Sequence, residues 1–135
     1  MISSLNRPPI FEKLMALGFR ASQMYGTITE ARWRNVIGAI GDEDVHVYAT
    51  IETIQAVAEN LKNETILRDY LARMRSADVT HWVTFRAVVV VDGTTVELKT
   101  TANTAHDKDG KDAVLKAYNT LYNMIASADI GFTSN

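Results

Sequence analysis

Residues 80–131 read THWVTFRAVVVVDGTTVELKTTANTAHDKDGKDAVLKAYNTLYNMIASADIG, and this stretch decides the fold. From Thr80 to Val91 β-branched and aromatic residues dominate, as they do on a pleated, half-buried surface. Asp92-Gly93 then supplies the residue types that a tight hairpin turn demands, and Thr94 to Thr101 forms the returning strand. The pattern predicts a β-hairpin over about residues 80–101. Past a polar loop, Val114, Ala117, Tyr118, Leu121 and Ile125 fall on one helical face, with Lys116, Asn119, Asn123 and Ser127 toward another. A helix over 112–127 that packs on the sheet follows.

Working outward, Pro8-Pro9 suits a first helical turn, where a missing N–H costs nothing, and Asn6 suits its cap. Ile10, Leu14, Leu17 and Ala21 continue at helical spacing, which predicts a helix from about Pro8 to Gln23 ended by Gly26. Thr27 to Ile40 fits a helix face through Trp33, Val36, Ile37 and Ile40, and fits short strands as well. Gly41 to Asp44 reads as a turn, and Val45-His46-Val47-Tyr48-Ala49 alternates like a strand. Thr50 then caps a helix carrying Ile51, Ile54, Ala58 and Leu61, continued after a break near Asn63 by Leu67, Tyr70, Leu71 and Met74. No repeat or linker divides the chain, so residues 1–135 are expected to form one α+β domain, an antiparallel sheet covered by amphipathic helices on one face.

With 47% apolar residues in 135, the chain can build a core without covalent staples. It has no cysteine, which rules out disulfides and thiolate metal sites. The first residues lack the basic-then-apolar order of a signal peptide, and no apolar run approaches the ~18 residues of a membrane span. The expected location is the cytoplasm, a host's cytoplasm if the chain is phage-encoded, with no membrane partner. A net charge of −2 argues against a general electrostatic nucleic-acid binder, yet leaves room for a local basic groove. Cations gather at Arg32/Arg34, Arg68/Arg73/Arg75 and Lys108/Lys111/Lys116.

The candidate chemistry is that of binding. Asp107-Lys108-Asp109-Gly110-Lys111-Asp112 resembles a calcium loop only superficially: counted from Asp107, the fifth and twelfth ligand positions hold Lys111 and Tyr118, and the glycine slot holds Asp112. Its simpler reading is a polar loop in which Asp109 or Asp112 caps the last helix. His46, His81 and His106 are too scattered for a local metal motif, and no serine or threonine sits in a nucleophile-elbow sequence. No enzyme, metal or cofactor is expected. Trp33 between Arg32 and Arg34, and Trp82 beside His81, combine ring and cation as single-strand-binding surfaces do, and equally fit core anchors with solvated neighbours. Lys108, Lys111 and Lys116 lie at the start of the last helix, whose N–H groups and dipole favour an anion; a charged, solvated helix start is the other reading.

Gly110-Lys111-Asp112-Ala113, Lys116-Ala117, Tyr118 and Tyr122, together with Tyr48-Ala49-Thr50-Ile51-Glu52-Thr53-Ile54 upstream, resemble the single-strand DNA annealing proteins of the essential recombination function (ERF) type from phages. The resemblance covers about the last two-thirds of the chain. It departs from the family pattern where Lys and Asp are exchanged in the loop and where Ala102-Asn103-Thr104 replaces expected glycines. The resemblance implies a homo-oligomer that holds single-stranded DNA in a basic groove and anneals complements without nucleotide hydrolysis. It assigns phosphate contacts to Lys111 and Lys116, with Lys108 assisting; Arg86 and Lys99, on the two hairpin arms, are added from the residues themselves. Two other readings remain open: a phage-like assembly or interaction subunit, and a small anti-defence or regulatory protein that binds a nucleotide or a partner.

Overall fold

The computed structural model describes residues 9–23, 32–107 and 109–135. Its elements, in chain order, are α1 (Pro9–Ala16), β1 (Arg20–Gln23), β2 (Arg32–Ile40), β3 (Glu43–Thr53), α2 (Ile54–Glu59), α3 (Glu64–Ser76), β4 (His81–Val91), β5 (Thr94–Asn103), α4 (Lys111–Ala126) and β6 (Phe132–Ser134). The strands form one antiparallel sheet in the order β1-β2-β3-β4-β5. Strand β6 pairs with residues 38–40 of β2, on the edge whose other end is taken by β1. The fold is α+β.

The hairpin forms as the sequence predicts. Asp92 and Gly93 both take positive φ, 52° and 77°, the backbone of a two-residue turn matched to strand twist. Behind it β4 and β5 pair without a register shift from Val91↔Thr94 to Trp82↔Asn103. Asn63 marks the break between α2 and α3, its Oδ1 accepting from the N–H groups of Thr65 and Ile66 at 2.9 and 3.1 Å. The ambiguous segment resolves over Arg32–Ile40 as strand β2; residues 27–31 lie outside the described residues.

Three boundaries differ from the expectation. The first helix stops at Ala16 instead of running to Gln23. Gly18 adopts φ 103°, and the N–H groups of Phe19 and Gly18 return to the carbonyls of Leu14 and Met15 at 3.0 Å each. That is the paired C-terminal closure a glycine permits, so Gly18 ends the helix and Ala21 belongs to β1. Thr50 does not cap a helix: strand β3 runs on to Thr53, whose Oγ1 accepts from Ala56 N–H at 3.0 Å. The last helix is capped by neither Asp109 nor Asp112, but by Asp107, as described below.

One face of the sheet holds the core. Val45, Val47, Ala49 and Ile51 of β3 and Val83, Phe85, Ala87 and Val89 of β4 point to it at the period of two that strands impose. Helix α1 covers it with Ile10, Phe11 and Leu14, and α4 with Val114, Ala117, Leu121 and Ile125. Phe19 and Phe85 meet edge to face at 5.5 Å, and each approaches Tyr118 at 5.8 Å. Burying one such ring contributes about 1.5–3 kcal/mol. At the β2 edge, a Cβ on Gly38 would fall 2.2 Å from the Thr133 carbonyl oxygen and 2.7 Å from the Phe132 ring, so only glycine lets β6 dock there. No helix among the described residues is long and apolar enough to cross a membrane.

Candidate nucleic-acid interface

The opposite face of the sheet follows from the same alternation. Because Val45, Val47 and Ala49 point inward, His46, Tyr48 and Thr50 point outward, and the registers extend this to every strand. Arg20 sits opposite Arg34, Arg34 opposite Tyr48, Tyr48 opposite Arg86, and Arg86 opposite Lys99. A single row therefore crosses all five strands of the main order. At about 4.8 Å between strands it is roughly 19 Å long. The next row along the strands carries Arg32, Thr50, Thr84 and Thr101, and beyond it lie Glu52, Trp82 and Asn103.

These side chains bound a cleft of about 560 Å³ whose lining includes Tyr48, Thr50, Thr84, the cations Arg32, Arg86 and Lys99, and the carboxylate of Glu52. The Arg86 guanidinium carbon lies 5.5 Å from the Tyr48 ring centroid, within cation–π range. Arg86 also pairs with Glu97 at 3.8 Å, with both side chains half exposed. His46 stacks alongside Tyr48 at 6.4 Å and 19°. Among the described residues, Arg34 and Lys99 have no carboxylate in salt-bridge reach. One end of the cleft has a wall: α3 leans over this face, where Trp82 Nε1–H donates to the Tyr70 hydroxyl at 2.6 Å. That bond fixes the Trp82 ring against α3.

The candidates separate cleanly. Arg32, Arg34, Arg86 and Lys99 converge on the open face. Trp33 does not join them: neighbours along a strand point to opposite faces, so it is 4% exposed, packed 5.1 Å from Phe11 in the core. The core-anchor reading of Trp33 holds, and that residue offers no stacking surface. Lys111 and Lys116 lie exposed on α4, which packs on the covered face. Lys108 lies outside the described residues.

The start of α4 is also not an open anion site. Asp107 Oδ1 accepts from Gly110 N–H at 3.1 Å and its Oδ2 from Ala113 N–H at 2.8 Å. The chain's own carboxylate thus takes donors and the dipole end that a phosphate would use. Lys116 instead lines a groove along β5, with Asp107 and Asp112 in the same lining. Among the described residues no three His, Cys, Asp or Glu side chains gather as metal ligands would.

Two members of the row, Arg20 and Tyr48, are absent from the sequence-derived candidates. Arg20 was hidden by a helix extended past Gly18. Tyr48 was legible in principle, since an outward position follows from the Val45/Val47/Ala49 alternation, but its neighbours across the sheet depend on register. Near the end of the covered face, burial holds the His81 imidazole below its ordinary value, and its Nδ1 lies 2.9 Å from Thr80 Oγ1. Comparison of the chain with protein-family models, with curated proteins and with solved structures returned no match.

Proposed function

We propose that this protein binds single-stranded DNA across the open face of its sheet and, as the ERF-type resemblance suggests, brings complementary strands together as an oligomer without nucleotide hydrolysis. The observation that carries the binding step is the row Arg20–Arg34–Tyr48–Arg86–Lys99, which places four cations and one ring on a single line. Cations along such a line meet successive phosphates, and Tyr48 offers a face to a base that is free to leave its partner. A duplex keeps its bases stacked inside and gains nothing from Tyr48, so the ring favours a single strand. Binding of this type is dominated by the backbone, tolerant of sequence and sensitive to salt. The net charge of −2 is compatible with it, because binding draws on the local row of cations, although Glu52 and Glu97 share that face and Glu97 pairs with Arg86.

The test is titration of a fluorescent single-stranded oligonucleotide over a salt series. Arg34→Ala and Lys99→Ala should each weaken binding and reduce the log–log salt slope by about 0.7, the value for one phosphate contact on a single strand. Tyr48→Ala should weaken binding by about 1–3 kcal/mol with the slope unchanged. Lys111→Ala with Lys116→Ala should leave both quantities as they are, because those residues lie on α4. Absence of binding at low salt overturns the proposal, and loss on the α4 substitutions alone moves the site to the helix.

A second reading, a protein-interaction subunit, is favoured by the outer part of the hairpin. There Val88 and Val90 lie on the open side of β4, 39% and 49% exposed. It predicts assembly without retention of oligonucleotide.

A further inference from the structure

The two edges of the sheet are built differently. On one side the edge is made of short pieces: β1 has four residues and a register irregularity, and β6 has three. Short, bulged strands are how soluble proteins keep an edge from pairing with another chain. On the other side β5 runs ten residues, Thr94–Asn103, with regular pairing to β4, no proline, and only one lysine. Among the described residues, no strand pairs with its outer edge.

The sequence of that edge is complementary to itself. Set antiparallel to a second β5 with Leu98 on the two-fold axis, Glu97 faces Lys99 of the other copy, and Lys99 faces its Glu97. Both side chains are exposed and both lie on the open face. In the same register Val96 faces Thr100, Thr95 faces Thr101, and Leu98 faces its own equivalent. Directly opposed side chains of opposite charge favour a strand pair, whereas like charges oppose it. A shift of one residue either way brings each Glu97 and Lys99 opposite a neutral residue. On the helix side, Val96 of β5 and Met124 of α4 are 38% and 37% exposed, leaving apolar surface for a partner to cover.

We infer that two copies of this chain pair antiparallel along β5, with Leu98 on the dyad, to form one continuous sheet of twice the width. The interface is isologous, so each copy supplies Glu97 to one charge pair and Lys99 to its symmetry equivalent. This arrangement does not rest on the DNA reading, since it uses the strand edge, the Glu97/Lys99 pattern and the apolar surface of Val96 and Met124. It has a consequence for that reading: the open faces of the two copies become contiguous at Lys99, so one strand can pass from one basic row to the other.

The experiment is sedimentation equilibrium of the full chain without nucleic acid, for the wild type, Glu97→Lys, Lys99→Glu and the double reversal. Wild type should be a dimer. Each single reversal sets like charges against each other twice per dimer and should weaken association roughly tenfold. The double reversal restores opposite charges and should return the dissociation constant to near the wild-type value. Exposed positions on a surface strand leave folding intact, which circular dichroism of each variant checks. A wild type that stays monomeric at every concentration overturns the inference. So does a dimer indifferent to the single reversals, or one that the double reversal fails to restore.

Discussion

The covered and open faces of this sheet are made from the same strands and differ in what their side chains can lose. In β4, Val83, Phe85, Ala87 and Val89 are buried under α1 and α4, while Thr84, Arg86 and Val88 alternate with them toward solvent. The first set contributes to stability because water is excluded from it. The second contributes little, because surface side chains gain few contacts on folding. A basic row on the open face is therefore poorly explained by folding alone, and this is the sense in which the face points to a ligand.

The sharpest way to break this comparison is a matched pair of truncations. Phe85→Ala removes a ring that is fully buried between Phe19 and Tyr118, and should cost about 3–5 kcal/mol of unfolding free energy. Arg34→Ala, one strand away from β3 and on the other face, should change it by no more than about 0.5 kcal/mol. Urea unfolding of both variants provides the readout. Comparable losses would mean that the open face is a structural layer and that its cations hold the fold.

The next effect concerns the second basic group. If Asp107 is the anion that the start of α4 receives, Asp107→Ala should lower stability by about 1–2 kcal/mol, the scale of a lost N-terminal cap. Lys111→Ala and Lys116→Ala should be nearly neutral, because both side chains are exposed. Thermal unfolding distinguishes the two. A neutral Asp107→Ala would reopen the helix start as a site for an external phosphate.

What was readable in the sequence is local, and what was not depends on partners far along the chain. Asp92-Gly93 specifies its turn through its own backbone preferences, and Val114 to Ile125 specify a helix face through their own spacing, so both were legible. Gly18 carried the stop signal for α1, but Leu17 and Ala21 kept the helical spacing across it and masked the signal. Thr50 and Thr53 are equally good caps by type; the strand continues to the second because Ile51 pairs across to Val83 in the core. The open-face row was beyond reach for the same reason. Arg20, Arg34, Tyr48, Arg86 and Lys99 lie on five different strands, and only register brings them into line. Asp107 reaches six residues forward to Ala113, a bond set by the fold of the loop rather than by helical spacing.

The smallest effect lies at the rim of the covered face and has a definite sign in pH. His81 begins β4 on the covered side, and burial lowers its pKa from 6.5. Between the folded and unfolded values the unfolded chain holds more protons, so stability rises with pH across that window. The contribution is complete above pH 6.5 and is lost as the pH falls through the folded value. His81→Gln removes the titration while keeping a side chain able to meet Thr80 Oγ1, now 2.9 Å from Nδ1. The variant should show a flatter dependence of unfolding free energy on pH below 6.5 than the wild type, with oligonucleotide binding unchanged at neutral pH. Parallel pH profiles for the two proteins would remove His81 as the source. A loss of oligonucleotide binding in the variant would show that the two faces are not independent, since a change at the rim of one would then be felt on the other.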